Sequence, residues 1–155
     1  LETPDPNLSA GMRALGGRYV FASLYDTREV VRLEVATGAL IRIALPARAQ
    51  GPVQLYSRPD GRLYVCDQRL LLDRPASNKL FELDARAATV TATIEVGRGA
   101  HGVVLGEDGR TAFVTNIADD TVSVVDVAAR RTVATVSVGG SPNGIAHWHV
   151  TGGMP

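Results

Sequence analysis

Four short β-branched runs, evenly spaced and then begun again, leave this chain few ways to fold. Residues 102–105, 111–115, 121–127 and 132–138 are rich in Val, Thr and Ile, which suit the pleated, half-buried surface of a sheet. Asp108-Gly109, Asp119-Asp120, residues 128–131 and Gly139-Gly140 separate and close these runs with residues typical of turns. Ser141-Pro142-Asn143-Gly144-Ile145 then echoes Gly99-Ala100-His101-Gly102-Val103. The unit is four strands long, and it repeats.

The repeat can be measured. Residues 80–102 and 122–144 align without gaps at an offset of 42, sharing Asp84/Asp126, Ala92/Ala134, Thr93/Thr135, Gly97/Gly139 and Gly102/Gly144 among others. The preceding offset is 48, from Leu33-Glu34-Val35 to Phe81-Glu82-Leu83, and the long segment 67–77 accounts for the difference. Earlier runs at 19–24, 29–35, 39–45, 53–57, 63–66, 79–84 and 90–96 complete two further units, with 11–15 as a short first strand. A period of about 40–45 residues with four strands per repeat describes a propeller blade. Helical solenoids need an apolar period near 3.6, and these runs alternate. The expectation is an all-β fold: a β-propeller built of four-stranded antiparallel blades, about three in this chain. They divide as an irregular arm at 1–10, blades at 11–46, 52–97 and 102–139, an extra inner strand at 143–148, and a tail at 151–155.

Over the last third, DGRTAFVTN followed by TVSVVDVAARRTVATVSVGGSPNGIA resembles the YVTN β-propeller repeat, with Phe113-Val114-Thr115-Asn116 at the tetrapeptide. The preceding unit carries Tyr64-Val65-Cys66-Asp67 there, and the first carries Phe21-Ala22-Ser23. The resemblance covers roughly residues 17–148. It implies a quinoprotein-like propeller of about seven blades, a periplasmic or extracellular location, and roles from surface proteins to cofactor and metal handling. Three blades leave strand edges and blade faces open, so either further blades or further copies complete the ring. Without a true strand at 11–15, the strand at 143–148 of a neighbouring copy would fill the gap.

Composition excludes several functions. Sixteen basic residues balance sixteen acidic ones, so no charge surplus favours nucleic acid. No apolar run reaches the roughly 20 residues of a membrane-spanning helix. The chain starts at Leu1 without a signal peptide, as expected of a processed, truncated or engineered piece. Cys66 is the single cysteine, so no intrachain disulfide forms. Nucleophile-elbow, phosphate-loop, His-Glu-x-x-His and haem-attachment motifs are all missing from the sequence.

In an up-and-down blade, the link between strands two and three lies at the same end as the link between blades. That end gathers 25–28, 67–77, 97–101, 116–120 and 139–143. His101 and Asn143 fall at equivalent places beside the expected channel, with Asn116 and Asp67 ending second strands nearby; all four are candidate ligand contacts. The plainer reading of polar residues before Gly is turn bonding. His147 and His149 share one side of a strand and, with His101, form a candidate Zn or Cu site that lacks an evident further ligand. Cys66 reads as a buried thiol, Asp119-Asp120 as a solvated turn, and Asp84 and Asp126 as turn-bonding carboxylates. The function expected is a non-enzymatic binding or scaffold module with its ligand or partner at the channel mouth. The alternative is an extracytoplasmic metal- or cofactor-handling propeller.

Overall fold

The computed structural model describes the backbone of residues 8–15 and the whole of residues 17–69 and 75–147. Twelve strands fill the described residues, without a helix among them. The first sheet holds β1 (Leu8–Leu15), β2 (Tyr19–Leu24), β3 (Glu29–Glu34) and β4 (Leu40–Ala44). The second holds β5 (Pro52–Ser57), β6 (Arg62–Asp67), β7 (Lys79–Asp84) and β8 (Thr89–Glu95). The third holds β9 (Ala100–Leu105), β10 (Thr111–Asn116), β11 (Thr121–Asp126) and β12 (Arg131–Ser137). Each is an antiparallel meander in chain order, as the repeat requires. The inner strands β1, β5 and β9 lie side by side.

Blade faces alternate along each strand because successive side chains point to opposite sides. Phe21, Val30 and Ile43 of the first blade pack against Leu63, Val65, Phe81 and Leu83 of the second. Tyr64, Cys66, Leu80 and Ile94 of the second pack against Val103, Ala112, Val114 and Val125 of the third. Every blade therefore has a forward face, toward the next blade, and a back face, toward the previous one. Positions one and three of the tetrapeptide (Tyr64, Cys66) point forward, and position two (Val65, Val114) points back.

Turns repeat as faithfully as strands. The link from third to fourth strand ends on a positive φ in all three blades, at Gly38, Ala88 and Arg130. Asp84 accepts from the backbone N–H groups of Arg86 and Ala87, and Asp126 accepts from that of Ala129. These are the turn-bonding roles expected from sequence. The two backbone bonds also hold the Asp84 carboxyl below its usual range, the Ala87 bond most.

Two sequence boundaries move. The first strand is real and starts at Leu8, so residues 8–10 pair with β2 and do not belong to an arm. A register shift between Ser9 and Arg13 lets the pairing run on past Gly11. With β1 in place, the first blade has its own inner strand and needs none from a neighbouring copy. At the other end, residues 143–147 form no strand, where an extra inner strand at 143–148 was expected; a strand exists only where a partner pairs with it. Residue 148, the 151–155 tail, and residues 70–74 of the long insertion lie outside the described residues.

Candidate functional site

Among the described residues, two cavities lie toward the end of the molecule singled out from sequence. One, of about 460 Å³, opens between the second and third blades and is lined by Asn78, Glu95, Gly97, Asp119, Thr121, Ser123, Thr132 and Thr135 among others. A smaller one, of about 270 Å³, lies where the first blade's β2–β3 turn meets the chain leaving β4. The larger volume falls within the usual range for small-molecule sites, about 300–1,000 Å³, and its lining mixes hydroxyl and carboxylate groups with apolar surface. Both carboxylates have cationic partners: Glu95 with Lys79 at 2.6 Å, and Asp119 with Arg98 at 2.7 Å. The Lys79 ammonium lowers the Glu95 pKa, and the Arg98 backbone N–H followed by its guanidinium lowers that of Asp119.

Asn116 stands behind this cavity. It is fully buried, and its Nδ2 donates to Thr121 Oγ1 and Ser123 Oγ, each at 2.9 Å. Ser123 Oγ also accepts from the Gly97 N–H at 3.1 Å. Gly97 is obligatory at this crossing, since a Cβ there would lie 2.5 Å from the Asn116 carboxamide. Asn116 Oδ1 is buried and finds no partner among the described residues.

Asp67, the equivalent residue of the second blade, is also fully buried. Its carboxylate accepts from the N–H groups of Gln50 and Gly51 and from Ser77 Oγ at 2.6 Å. In the second blade the tetrapeptide's fourth position thus grips the incoming link directly, whereas in the third Asn116 reaches it through Ser123. The first blade carries Leu24 there and makes no such grip. The ends of the 67–77 insertion are tied by the same bonds, together with Ser77 N–H to Gln68 C=O.

His101 sits on β9 at a register shift, Ala100 pairing with Asn116 but Val103 with Val114. Such bulges re-aim side chains. Its Nδ1 is buried without a hydrogen-bond partner among the described residues, and burial lowers its pKa, favouring neutral imidazole. Asn143 lies close by: a Cβ on Gly102 would come within 3.4 Å of the Asn143 carbonyl oxygen and 3.2 Å of Ile145 Cγ2. The Asn143 backbone therefore passes beside Gly102, the chain neighbour of His101, Asn116 lies behind the cavity, and Asp67 serves the neighbouring link. Neither His101 nor Asn143 lines the cavity. Its hydroxyl walls, Thr121, Ser123, Thr132 and Thr135, were not singled out from sequence. The alternating Thr121-x-Ser123 on a strand opposite a Thr-rich fourth strand was the available signal.

Of the metal candidates, His149 lies outside the described residues and His147 is exposed. No group of three metal-ligating side chains converges among the described residues. Cys66 is fully buried, and desolvation, reinforced by the Asp67 charge, pushes its thiol far up, matching the inert thiol expected.

Three stacked four-stranded meanders with neighbouring inner strands make this a set of consecutive β-propeller blades. Solved structures agree. Hydrazine synthase from Kuenenia stuttgartiensis superposes with a TM-score of 0.77 at 20% identity, over 93% of this chain and 40% of that one. A catalytically inactive virginiamycin B lyase from Staphylococcus aureus, solved with quinupristin, gives 0.74 at 13% identity, over 93% and 46%. The RRP9 WD40 repeats give 0.69 at 15%, over 88% and 40%. The chain spans less than half the length of these neighbours. No family model matches it, and no curated protein sequence does. At these identities the likeness shows the fold, which hosts enzymes and scaffolds alike.

Proposed function

We propose that the chain is a non-enzymatic binding module of a YVTN-like propeller, acting outside the cytoplasm, with its ligand at the end where the blade links gather. The observation that carries this reading is His101: a buried ring nitrogen without a partner among the described residues, at a bulge of an inner strand. A buried polar atom left unsatisfied calls for an explanation, and a ligand donor is one. Loops on a rigid scaffold are the usual place for binding, and both cavities open at this end. Asn116 and Asp67 serve the reading as positioning residues, fixing the links that carry the site. The ring is completed by blades beyond these three.

The test is a thermal-shift screen against small polar metabolites and, separately, Zn²⁺ and Cu²⁺. A ligand present at about 100 times its Kd stabilises by about 2.7 kcal/mol, a readable shift. Hits that disappear in His101→Ala and persist in Asp108→Ala, at the opposite end, support the reading. Hits that survive His101→Ala and vanish in a folded Asp108→Ala protein place the site at the wrong end. A shift with Zn²⁺ or Cu²⁺ alone, lost in His147→Ala, would favour the metal-handling alternative.

A further inference from the structure

The same strand position can be followed through all three blades. Ile43, Ile94 and Val136 each lie opposite the second residue of the third strand, on the forward face. Ile43 is 3% exposed and Ile94 1%, each covered by the following blade, whereas Val136 is 49% exposed. Val30 and Leu80 are fully buried where their equivalent Val122 is only half-buried, and Phe21 and Tyr64 are fully buried where Phe113 is not. The third blade therefore carries the apolar docking surface of the first two, uncovered. The first blade is its counterpart at the back: Val35 is 56% exposed where its equivalents Ala85 and Val127 are buried, and Val31 and Leu33 are half-buried where Phe81 and Leu83 are fully buried.

We propose that these two faces mate: the forward face of the third blade docks on the back face of the first blade of a second copy, head to tail. This rests on the propeller reading above and adds the partner. Both interfaces inside the chain are forward-on-back, so the proposed contact continues an arrangement the molecule already uses twice.

Polar matching favours a second copy over a generic blade. At the fourth residue of the third strand, Arg32 donates to the carbonyls of Ala85 and Arg86 in the next blade's turn. There Glu82 binds Arg130 of the next blade's turn at 2.8 Å. The third blade has Val124 at this position, and the corresponding turn of the first blade has Gly38 where the third has Arg130. Val124 against Gly38 leaves no charge to bury unpaired. The link leaving the third blade is likewise already held, Ser141 N–H donating to Asp120 Oδ1 at 2.7 Å. Its equivalent Gly51 relies on the next blade's Asp67. A docking blade therefore needs no acidic grip, and Leu24 of the first blade supplies none. Two copies joined at both seams make six blades, within the roughly 4–8 of closed propellers. A head-to-tail contact that does not close would instead run on as a chain of copies.

The experiment is sedimentation velocity on the wild type, Val136→Asp, Val35→Asp and a one-to-one mixture of the two variants. Both sites are exposed in the single chain, so both variants should keep the wild-type strand spectrum and melting temperature at low concentration. The expected result is a wild-type species of two 16.4 kDa chains, each variant alone a monomer, and the mixture recovering dimer through its one intact seam. A monomeric wild type overturns the proposal while leaving the propeller reading intact. So does a dimer lost in Val136→Asp but untouched by Val35→Asp, since that contact would be face to same face. A helix-dominated circular dichroism spectrum would instead sink the propeller reading itself.

Discussion

Ile94 and Val136 occupy one position on consecutive blades, and their surroundings could hardly differ more. Ile94 is sealed between the second and third blades, while Val136 looks into solvent. The residues are alike, the strand pairing is alike, and both sheets bulge at the same place, between Glu82 and Leu83 and between Val124 and Val125. The difference lies entirely in what comes next. A blade in this fold is half a core, and its stability depends on a neighbour that local sequence does not name.

The largest effect expected is at the covered position. Ile94→Ala should cost about 3 kcal/mol, as for other buried aliphatic truncations, while Val136→Ala in the monomer should cost about 1 kcal/mol or less. Urea midpoints of the two variants read this directly, and equal losses would erase the contrast. Asp67→Ala comes next. It leaves the Gln50 and Gly51 N–H groups without their acceptor, at about 2–3 kcal/mol. Leu24→Ala, at the equivalent position, would lose only packing. Arg130→Ala should cost about 2 kcal/mol by taking the cation from the buried Glu82, which keeps only its Tyr64 and Thr91 hydroxyl donors; Val124→Ala, at the place of Glu82 on the open face, should cost less.

Strand content was legible almost throughout because the β-branched runs and their Gly and Asp punctuation are local signals. Where β1 begins was not, since it depends on a bulge rather than on composition. Of the candidate site, the gathering of the blade links at one end follows from blade connectivity alone. That Asp67 and Asn116 turn inward onto the links was not readable. A polar residue ending a strand faces the link or a ligand according to how the previous blade packs, which is a long-range matter. The hydroxyl walls of the cavity were hidden for a similar reason: Thr and Ser serve equally well as ordinary strand residues.

Smaller effects sharpen the picture at the predicted mouth and at the turns. Burial lowers the pKa of His101 in the fold from its ordinary 6.5, so the unfolded chain binds the proton more readily. Its contribution to stability is complete above pH 6.5 and is lost as pH falls through the folded value. Urea midpoints between pH 7.5 and 5 should decline in wild type and decline less in His101→Gln. The lowered carboxyls of Asp84 and Asp119 add losses only at more acidic pH, below 3.8. Ala88→Gly should raise stability by roughly 1 kcal/mol, because Ala88 holds a φ of 57° that glycine adopts without strain; its counterpart Gly38 already has this solution.

Amide hydrogen exchange tests the contrast between covered and open blades most directly. At low protein concentration, amides of β7 paired to β8 should open only near the global unfolding free energy, while those of β11 paired to β12 exchange through far cheaper local openings. Raising the concentration should slow exchange in β11 and β12 as their face becomes covered, and leave β7 and β8 unchanged. Equal protection of the two strand pairs at low concentration, with no response to concentration, would contradict the account.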